Sequence, residues 1–451
     1  MGFKKDFMWG AASADYQIEG AYCSDGKGLG IWDVLGKEEG RIHHSETAEI
    51  SCDHYHRFME DVALMEEMGL KYYRFSISWT RIIPEGVGAV NRKGLKFYSD
   101  LVDALLKAGI EPLITLYHWN YPYTLYKKGG WKNENSPDWF AEYVSVIVDE
   151  LSNRVKYWIT FNEPQLFVGA GYMLGLHAPF EHCEKKELTQ ISHHVLLAHG
   201  KAVKVIRERT KQPCQIGLAP TGPCFTPKDR SDEAIEQARK NSFAFRDIGE
   251  IFGNSWWMDP VIFGRYPESA SEVLKNDMPD INEGDMELIS QPIDFYGCNI
   301  YQSMADYNLL SKIVYESNAY QGCPRTMMGW PMTPEVLYWA SKFLYERYHL
   351  PILITENGVA AMDWVCLDGE VHDSMRVDFV NRYLLEYRKA ADEGVDLMGY
   401  MYWSLMDNFE WADGYDKRFG MIYIDYQTQK RTIKDSAYWY RSVIESNGDN
   451  L

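Results

Sequence analysis

Residues 157–163 read YWITFNE, a short apolar run that ends in a carboxylate. Similar runs recur at residues 7–13, 72–79, 111–119, 215–219, 294–301, 351–356 and 397–405. They are apolar throughout rather than alternating, which is typical of parallel strands covered on both faces. Segments with helical spacing separate them, at residues 54–69, 93–109, 137–151, 192–210, 234–251, 334–348 and 375–394. This order predicts an α/β fold, a single (β/α)8 TIM barrel with extended βα loops.

An open, doubly wound sheet is the alternative fold. Such a sheet is expected to carry a glycine-rich phosphate turn directly after its first strand. The glycine-rich piece at residues 26–30, GKGLG, lacks a following helix pattern, so we do not expect a nucleotide loop there. Linker-like and low-complexity stretches are also missing from the sequence. Residues 1–451 are therefore expected to form one barrel domain.

Composition excludes several classes of partner. The chain of 451 residues has 46 Lys and Arg against 65 Asp and Glu, a net charge of −19, which argues against a nucleic-acid partner. Hydrophobic residues make up 46% and charged residues 25%, as in ordinary soluble globular proteins. No apolar window is long enough for a membrane-spanning helix, so no membrane partner is expected. The oligomeric state stays open.

The cysteines and histidines give no sign of a metal site. Eight cysteines are scattered without C-x-x-C spacing, which favours reduced, mostly buried thiols over disulfides or zinc. His54 and His56 are two residues apart on a predicted helix and therefore point to different faces. The first ten residues, MGFKKDFMWG, do not resemble a signal peptide. We therefore expect a cytoplasmic protein without a metal or a cofactor.

Two predicted strands end in glutamates. Glu163 ends the fourth strand and Glu356 the seventh, with Asn162 and Asn357 beside them. Strand ends open onto the face of a barrel that carries the chemistry, and a glutamate after an apolar strand needs a cleft or a partner. Helix capping or pairing with an arginine is the alternative role. A facing pair of carboxyls is what cleavage of a glycosidic bond requires.

Amide and aromatic residues lie near the other strand ends and fit a sugar pocket. They can supply hydrogen bonds to hydroxyl groups and flat faces for a sugar ring, although Trp and Tyr are equally common in plain packing. The candidates are Gln17 near the end of strand one, His118 and Trp119 on strand three, Asn299 and Tyr301 on strand six, and Trp403 on strand eight.

Several motifs, in order along the chain, closely resemble those of the family 1 glycoside hydrolases, the β-glucosidase and β-galactosidase group. The motifs are DFMWGAASADYQIEG (6–20), YRFSISW (73–79), LYHW (116–119), GGW (129–131), TFNEP (160–164), ITENG (354–358), YWSLMDNFEW (402–411), KRFGMIYID (417–425) and KDSAY (434–438). The resemblance runs nearly from end to end.

The resemblance implies a retaining mechanism, with Glu163 as acid/base and Glu356 as nucleophile. Their carboxyls should then lie about 5–5.5 Å apart. It assigns Tyr301 and Arg74 to keeping Glu356 ionised, and Asn162 to the sugar 2-hydroxyl. The remaining matches are the hydrogen-bonding residues Gln17, His118, Glu410 and Trp411, the stacking face of Trp403 and a leaving-group platform at Trp330.

The implied activity is that of an exo-β-glycosidase acting on terminal, unphosphorylated β-D-glycosyl residues of small-molecule glycosides. A β-glucosidase is the first choice, and β-galactosidase and β-fucosidase activities are not separated from it. A 6-phospho-β-glycosidase is an alternative, but of its Ser, Lys and Tyr pattern only Lys417 is present, beside Glu410 and Phe419. An ionised Glu410 is expected to repel a phosphate.

Two further alternatives are a catalytically silent carbohydrate-binding barrel and a metal- or nucleotide-dependent enzyme. The first need not keep both glutamates, and the second needs ligand clusters that the sequence does not show.

The sequence departs from the family pattern at Asp15, Asn120, Tyr121 and Phe180. These departures leave open which leaving group, or aglycone, the protein prefers. We expect Tyr121, Tyr123 and Phe180 to narrow or line the entrance.

Overall fold

The predicted barrel is confirmed. A computed structural model describes residues 2–304 and 322–451. Its eight parallel strands are neighbours in chain order, and β1 pairs with both β2 and β8, which closes the sheet. The strands are β1 (Met8–Ala12), β2 (Tyr72–Ser76), β3 (Glu111–Thr115), β4 (Tyr157–Asn162), β5 (Gln215–Ala219), β6 (Phe295–Asn299), β7 (Ile352–Asn357) and β8 (Leu397–Trp403). Each falls on a predicted run, although residues 77–79 and 116–119 lie beyond the ends of β2 and β3.

Helices surround the barrel and fill the connections between its strands. They are α1 (Asp15–Ile18), α2 (Ile31–Leu35), α3 (His54–Glu67), α4 (Trp79–Ile82), α5 (Arg92–Lys107), α6 (Tyr123–Tyr126), α7 (Ser136–Leu151), α8 (Pro164–Val168), α9 (Lys185–Arg209), α10 (Asp232–Phe243), α11 (Asn254–Phe263), α12 (Glu268–Leu274), α13 (Asp285–Ile289), α14 (Glu335–Tyr348), α15 (Ser374–Asp392) and α16 (Asp435–Glu445). A ribbon of β9 (Ile422–Ile424) and β10 (Arg431–Ile433) follows β8. Among the described helices, none is both long and apolar enough to cross a membrane.

The segment predicted as one helix over residues 234–251 divides into two pieces. Helix α10 starts where the Ser231 hydroxyl accepts a hydrogen bond from the Ala234 backbone, 3.2 Å away, and it ends before Ala244, whose backbone is extended. A 3-10 turn, Ile248–Phe252, then begins where Asp247 accepts from the Gly249 backbone at 2.7 Å. Asp247 caps a new turn because its short side chain reaches the free amides of that turn.

The glycine-rich piece differs from the prediction, because helix α2 does follow it. The Gly30 backbone donates to the Asp33 carboxylate at 2.7 Å, and the Trp32 backbone donates to Asn120 Oδ1 at 3.2 Å. A Cβ atom on Gly30 would lie 2.0 Å from the same Asn120 oxygen. The glycine therefore allows the Asn120 side chain to cap this helix, in the place where a nucleotide loop would hold phosphate.

The structure agrees with the prediction for the two histidines and contradicts the one for the cysteines. His54 and His56 contact different carboxylates, with Nδ1 of His54 2.7 Å from Asp61 and Nδ1 of His56 2.6 Å from Asp53. The expectation of mostly buried thiols is wrong. Three cysteines are buried, Cys23 is exposed and the other four are half-buried. The scattered spacing of the cysteines argues against a disulfide framework, but it does not determine how deeply each thiol is buried.

A buried ionic cluster holds the chain after β8 against the barrel. Lys434 Nζ lies 2.8 Å from Asp407 Oδ1 and 2.6 Å from Asp363 Oδ2. Arg376 pairs with Asp363 and Asp373, and Arg418 Nη1 lies 2.6 Å from the other oxygen of Asp407. The cluster fixes the loop that leads from Trp403 to Glu410, both of which were predicted to bind substrate.

Replacing Lys434 with Met is expected to lower the free energy of unfolding by about 3–5 kcal/mol. The change leaves Asp363 and Asp407 buried with one cation fewer, and an uncompensated buried charge is costly. Urea and thermal denaturation of the variant measure the loss. The matched control is Lys93→Met, since Lys93 is 72% exposed in its pair with Asp25. A Lys434→Met protein that unfolds at the wild-type midpoint contradicts the prediction.

Candidate active site

A single cavity contains most of the residues that the sequence singled out. It encloses about 1110 Å³, including the part open to solvent, and it lies at the carboxyl ends of the strands, where barrels of this type carry their sites. The predicted residues on its wall are His118, Glu163, Asn299, Tyr301, Trp330, Glu356, Trp403, Glu410 and Trp411. Gln17, Arg74 and Asn162 are buried behind this wall and bond to it.

Glu163 is held in an unusual backbone conformation between β4 and α8. Its φ is +44°, in the left-handed region that favours glycine, and Pro164 starts the helix directly after it. The Glu163 amide donates to the Ala219 carbonyl of β5 at 2.7 Å. Such a conformation costs about 1–3 kcal/mol and persists where the surroundings impose it. The strand-to-helix turn thus holds the Glu163 carboxyl in the cavity.

Glu356, near the end of β7, has a dedicated set of donors. Arg74 Nη1 donates to Oε1 at 2.6 Å, and the Tyr301 hydroxyl donates to Oε2 at 2.8 Å. Arg74 Nη1 also reaches the Thr355 carbonyl at 3.0 Å, and the guanidinium is 1% exposed. Pairing with an arginine, the alternative role for the two glutamates, is therefore realised at Glu356, with Arg74 as the partner.

Asn162 connects the two halves of the site. Its Oδ1 accepts from Arg74 Nη2 at 2.5 Å and from Asn299 Nδ2 at 3.0 Å. Because Oδ1 is the acceptor, Nδ2 must donate, and it lies 3.0 Å from His118 Nε2. His118 then carries its proton on Nδ1, which is buried without a described partner. Burial and the charge of Arg74 lower the pKa of His118 well below its usual value, so the ring is neutral.

The two carboxyls differ in their electrostatic surroundings. Burial and the charge of Glu356 raise the pKa of Glu163 to about 8, against the weaker effects of Asn299 and Arg74. Burial also raises the pKa of Glu356, but the charge of Arg74 and the hydrogen bonds from Tyr301 and Arg74 act in the opposite direction. Glu163 is therefore the carboxyl that keeps its proton near neutral pH, and Glu356 the one placed to be ionised.

Gln17 lies on helix α1 and not at the end of the first strand, which stops at Ala12. Its amide nitrogen donates to Asn408 Oδ1 at 3.0 Å, to the Phe409 carbonyl at 2.8 Å and to Glu410 Oε2 at 3.3 Å. Its Oε1 is buried without a partner among the described residues. Gln17 thus positions Glu410 and keeps one acceptor for a ligand.

The surroundings of Glu410 weaken the argument against phosphorylated sugars, which assumed an ionised carboxyl. Burial raises the pKa of Glu410 well above its usual value, and the charges of Asp413, Glu356 and Glu163 raise it further. A carboxyl that holds its proton repels a phosphate less than an ionised one does. Lys417 lies 3.9 Å from Asp413, while Phe419 faces the cavity.

Some of the predicted aromatic residues line the cavity, and others are buried in the packing around it. Trp330 lines the cavity with its ring 5.2 Å from that of Tyr301, and Trp411 packs at 4.5 Å on Trp119. Tyr121 and Phe180 were expected to line or narrow the entrance, but they do not line this cavity. Tyr121 is fully buried against Trp79 and Trp131, and Phe180, 8% exposed, packs on Trp32. Tyr123, the third such residue, is half-buried and stacks on Tyr126.

Sequence reasoning missed several polar residues around the site. Thr115 Oγ1 accepts from Arg74 Nε at 3.1 Å, and Thr355 Oγ1 donates to Asn299 Oδ1 at 2.6 Å. Thr115 ends β3 and Thr355 precedes Glu356, so the search for polar strand ends could have included both. Glu250 also lines the cavity, from the connection between β5 and β6, and no strand-end pattern marks it.

Two groups of side chains in the described part of the chain could hold a metal ion. They are His43, His44 and Asp416, and Cys366, Asp368 and His372. Neither group lines the cavity, and five of the six side chains are exposed. The cavity itself presents carboxyl, amide and aromatic groups, the set expected of a sugar site.

Comparison with known proteins agrees with this arrangement. β-Glucosidase A of Acetivibrio thermocellus is 44% identical over 452 residues, covering 99% of both chains. The family 1 β-glucosidase structure from Thermotoga maritima superimposes with a TM-score of 0.90 at 42% identity, covering 99% of both chains. An aryl-phospho-β-D-glucosidase of Bacillus subtilis is 37% identical over 489 residues, covering all of this chain and 98% of its own. The model of glycosyl hydrolase family 1 matches residues 1–449. The chain therefore belongs to glycosyl hydrolase family 1.

Proposed function

We propose that this protein is a retaining exo-β-glycosidase, and specifically a β-glucosidase. One observation carries the proposal: two buried carboxyls share a cavity, and Arg74 and Tyr301 hydrogen-bond to Glu356 while the pKa of Glu163 is raised to about 8. Two carboxyls with different protonation states are what acid catalysis combined with nucleophilic attack requires.

In the first step, a Glu356 oxygen attacks the anomeric carbon as the bond to the leaving oxygen breaks. Glu163 gives its proton to that oxygen, and the alcohol departs. A water molecule then enters on the vacated side, and Glu163 takes a proton from it as the water oxygen displaces Glu356. The product has the original anomeric configuration, and both carboxyls return to their starting states. The separation of about 5–5.5 Å remains a prediction of this mechanism.

The other groups give the sugar a defined orientation. The family resemblance assigns Asn162 to the 2-hydroxyl, and its Nδ2 is the group left to contact the sugar, since its Oδ1 already accepts from Arg74 and Asn299. His118 Nδ1 and Gln17 Oε1, which have no partner among the described residues, offer one donor and one acceptor. Glu410 and Trp411 complete the hydrogen bonds, Trp403 supplies the stacking face and Trp330 contacts the leaving group. The names of the similar β-glucosidases favour glucose over galactose or fucose.

An unphosphorylated sugar is favoured over a 6-phosphorylated one. The Lys417 ammonium lies near Asp413, and it is not on the cavity wall. Phe419, which is 2% exposed, presents an aromatic ring to the cavity where the phosphate-binding pattern has a tyrosine hydroxyl. A phosphate placed there would lose hydration without gaining a comparable set of donors.

The test is hydrolysis of 4-nitrophenyl β-D-glucoside with and without a chelator. We expect release of 4-nitrophenol at the same rate in both conditions, and we expect the glucose released first to be the β-anomer. A silent carbohydrate-binding barrel would bind glucose without turnover. Failure to hydrolyse any aryl β-glycoside, or release of the α-anomer first, contradicts the proposal.

The rate constant kcat/KM is expected to fall above about pH 8. Glu163 must be protonated to act as an acid, and a pKa of about 8 means that the protonated form predominates below that pH and is lost above it. Once the acid is mostly ionised, each further pH unit should lower kcat/KM about ten-fold. Initial rates with an unactivated alkyl β-glucoside between pH 5 and 10 measure this fall in kcat/KM. A profile that stays level from pH 7 to 10 would show that the acid has another pKa.

We also propose that residues 1–451 form a single catalytic domain, and that the protein works in the cytoplasm. Strands β1 and β8 pair with each other from opposite ends of the sequence, which supports one unit. The scattered cysteines support a reducing compartment.

A further inference from the structure

A group of metal-ligating side chains lies outside the cavity, in the connection between β7 and α15. It comprises Cys366, Asp368 and His372, whose ligand atoms all lie within 4.8 Å of one another. The chain turns sharply here, since the Gly369 amide donates to the Cys366 carbonyl at 2.9 Å and Gly369 has a φ of +90°. This tight turn brings a sulfur, an oxygen and a nitrogen ligand together within residues 366–372.

Neighbouring groups orient two of the three ligands. The Glu370 amide donates to Asp368 Oδ1 at 3.1 Å, while Asp368 Oδ2 lies 2.9 Å from Nε2 of His372. On the other side of the ring, Nδ1 of His372 lies 2.6 Å from Asp435 Oδ2, at the start of α16. A histidine that binds a metal almost always donates its second ring N–H to a carboxylate, a carbonyl or a water molecule. Asp435 supplies that acceptor, so Nε2 is the nitrogen placed to bind an ion.

The chain on both sides of His372 is attached to α16. Val371, which is 1% exposed, accepts at its carbonyl from the Asp435 amide at 3.1 Å. The buried Asp373 carboxylate accepts from the Ser436 amide at 2.8 Å and from the Ser436 hydroxyl at 2.6 Å. Because both neighbours are held, the His372 ring has a defined position relative to Asp435. This part of the site is therefore formed before any ion binds.

We propose that Cys366, Asp368 and His372 bind a zinc ion, with Asp435 as the carboxylate that orients His372. Thiolate, imidazole and carboxylate groups are the ligands that zinc takes in proteins, at about 2.0–2.3 Å. Calcium and magnesium are disfavoured because they take oxygen ligands. The ion replaces the proton on Nε2 of His372 and the proton of the Cys366 thiol, and both protons go to solvent. Three protein ligands leave the fourth position of a tetrahedral zinc ion to a water molecule.

The bound ion has a structural role. None of its three ligands lines the cavity, so the hydrolytic reaction does not use the ion. Through His372 and Asp435, the ion links the turn at residues 366–369 to α16. The histidine and Asp435 meet only in the folded chain, so the complete site belongs to the folded state. A ligand that binds the folded state more tightly than the unfolded one stabilises the fold.

The alternative is that His372 only forms ion pairs. It pairs with both Asp368 and Asp435, and hydrogen bonds to these two carboxylates raise the pKa of His372 to about 9. An ion therefore has to displace a proton from the ring. The half-buried thiol of Cys366 distinguishes the two roles, because an ion pair does not need a sulfur ligand.

The test is titration of the protein with cobalt(II) chloride, a spectroscopic substitute for zinc, in the presence of a phosphine reductant. Cobalt bound to a thiolate has a charge-transfer band in the near ultraviolet, so the band reports a cysteine ligand. We expect the band to saturate at one ion per chain, and zinc chloride to remove it, because thiolate ligands favour zinc. A wild-type protein without this band, or a band that zinc leaves in place, overturns the inference.

The band also separates this site from the second candidate group, His43, His44 and Asp416. That group contains no sulfur, so cobalt bound there gives no thiolate band. Cys366→Ser should abolish the band. The matched control is Cys23→Ser, since Cys23 is an exposed thiol outside both groups and its loss should leave the band unchanged. A band that persists in Cys366→Ser overturns the inference.

Asp435→Asn tests the orienting carboxylate. Loss of such a partner typically weakens metal binding by about 10- to 100-fold, and we expect that loss of zinc affinity here. His372→Gln should weaken zinc binding at least as much, because it removes a ligand. Competition with a chromogenic zinc indicator measures the affinities. Wild-type affinity in either variant overturns the inference.

A second measurement applies if circular dichroism shows that one of these variants is misfolded. Zinc chloride should raise the Tm of the wild-type protein, because the complete site exists only in the folded chain. It should raise the Tm of Asp368→Asn by less than half as much, since the amide is a poorer ligand than the carboxylate. An equal rise in both proteins overturns the inference. These readouts do not depend on hydrolysis, so they are independent of the proposed function.

Discussion

Glu356→Gln is expected to hydrolyse 4-nitrophenyl β-D-glucoside at least about 10³-fold more slowly than wild type, a rise of about 4 kcal/mol in the barrier. The amide is a poor nucleophile, so the covalent step is lost. Arg74 and Tyr301 are left facing a neutral group at the positions where they now donate to a carboxylate. The measurement is kcat from initial rates, with the concentration of folded protein taken from its absorbance.

The Glu356→Gln variant should still bind sugar. Retained binding would show that the loss of activity does not come from a loss of structure. The amide keeps the shape of Glu356, so a neutral sugar such as glucose should still bind. Glu335→Gln is the matched control, because its carboxyl lies outside the cavity on α14. It should keep wild-type kcat. Full activity in Glu356→Gln would overturn the assignment of the nucleophile.

Glu163→Ala should lower the rate by amounts that depend on the leaving group. An alkyl or sugar alcohol needs a proton to depart, so we expect a loss of about 10²–10⁴-fold on such substrates. An activated nitrophenol leaves without protonation, so the first step on an aryl glucoside should be affected far less. The measurement is single-turnover kinetics on a series of aryl β-glucosides of increasing leaving-group pKa, extended to an alkyl β-glucoside.

The slope of log rate against leaving-group pKa is the informative quantity. It should be steeper in Glu163→Ala than in wild type, because only wild type protonates the leaving oxygen. The pH limb near 8 should also disappear from the variant, since the group with that pKa is gone. Equal losses on all substrates, with the limb retained, would mean that another group supplies the proton.

The fold was largely predictable from the sequence. Apolar runs mark strands that are buried on both faces, and helix periodicity between them leaves few arrangements apart from a closed barrel. The failures were local. Helix α2 was missed because its cap is Asn120, far along the chain, and the long helix over residues 234–251 is divided by the cap at Asp247. Short caps and side-chain contacts over long distances leave no periodic signal.

The sequence predicted the site residues that lie at strand ends, but it did not predict the positions of those in the loops. The barrel itself brings to one face the residues that lie at or next to the ends of its strands, namely Glu163, Asn299, Glu356 and Trp403. Tyr121 and Phe180 were expected at the entrance and are buried in aromatic packing instead. Glu250 was not predicted because it lies in the connection between β5 and β6. Loop conformation depends on packing partners that the sequence pattern does not name.

The sequence by itself determined the barrel, the pair of glutamates and the family resemblance, because each depends on local patterns of residues along the chain. Only the tertiary structure gave the physical reason why Glu163, rather than Glu356, holds a proton, since burial and the positions of Arg74 and Tyr301 set the two pKa values. It also decided that Glu250 shares the cavity. Electrostatic effects act through space over a few ångströms, and residues separated by many positions in the chain come that close only after folding.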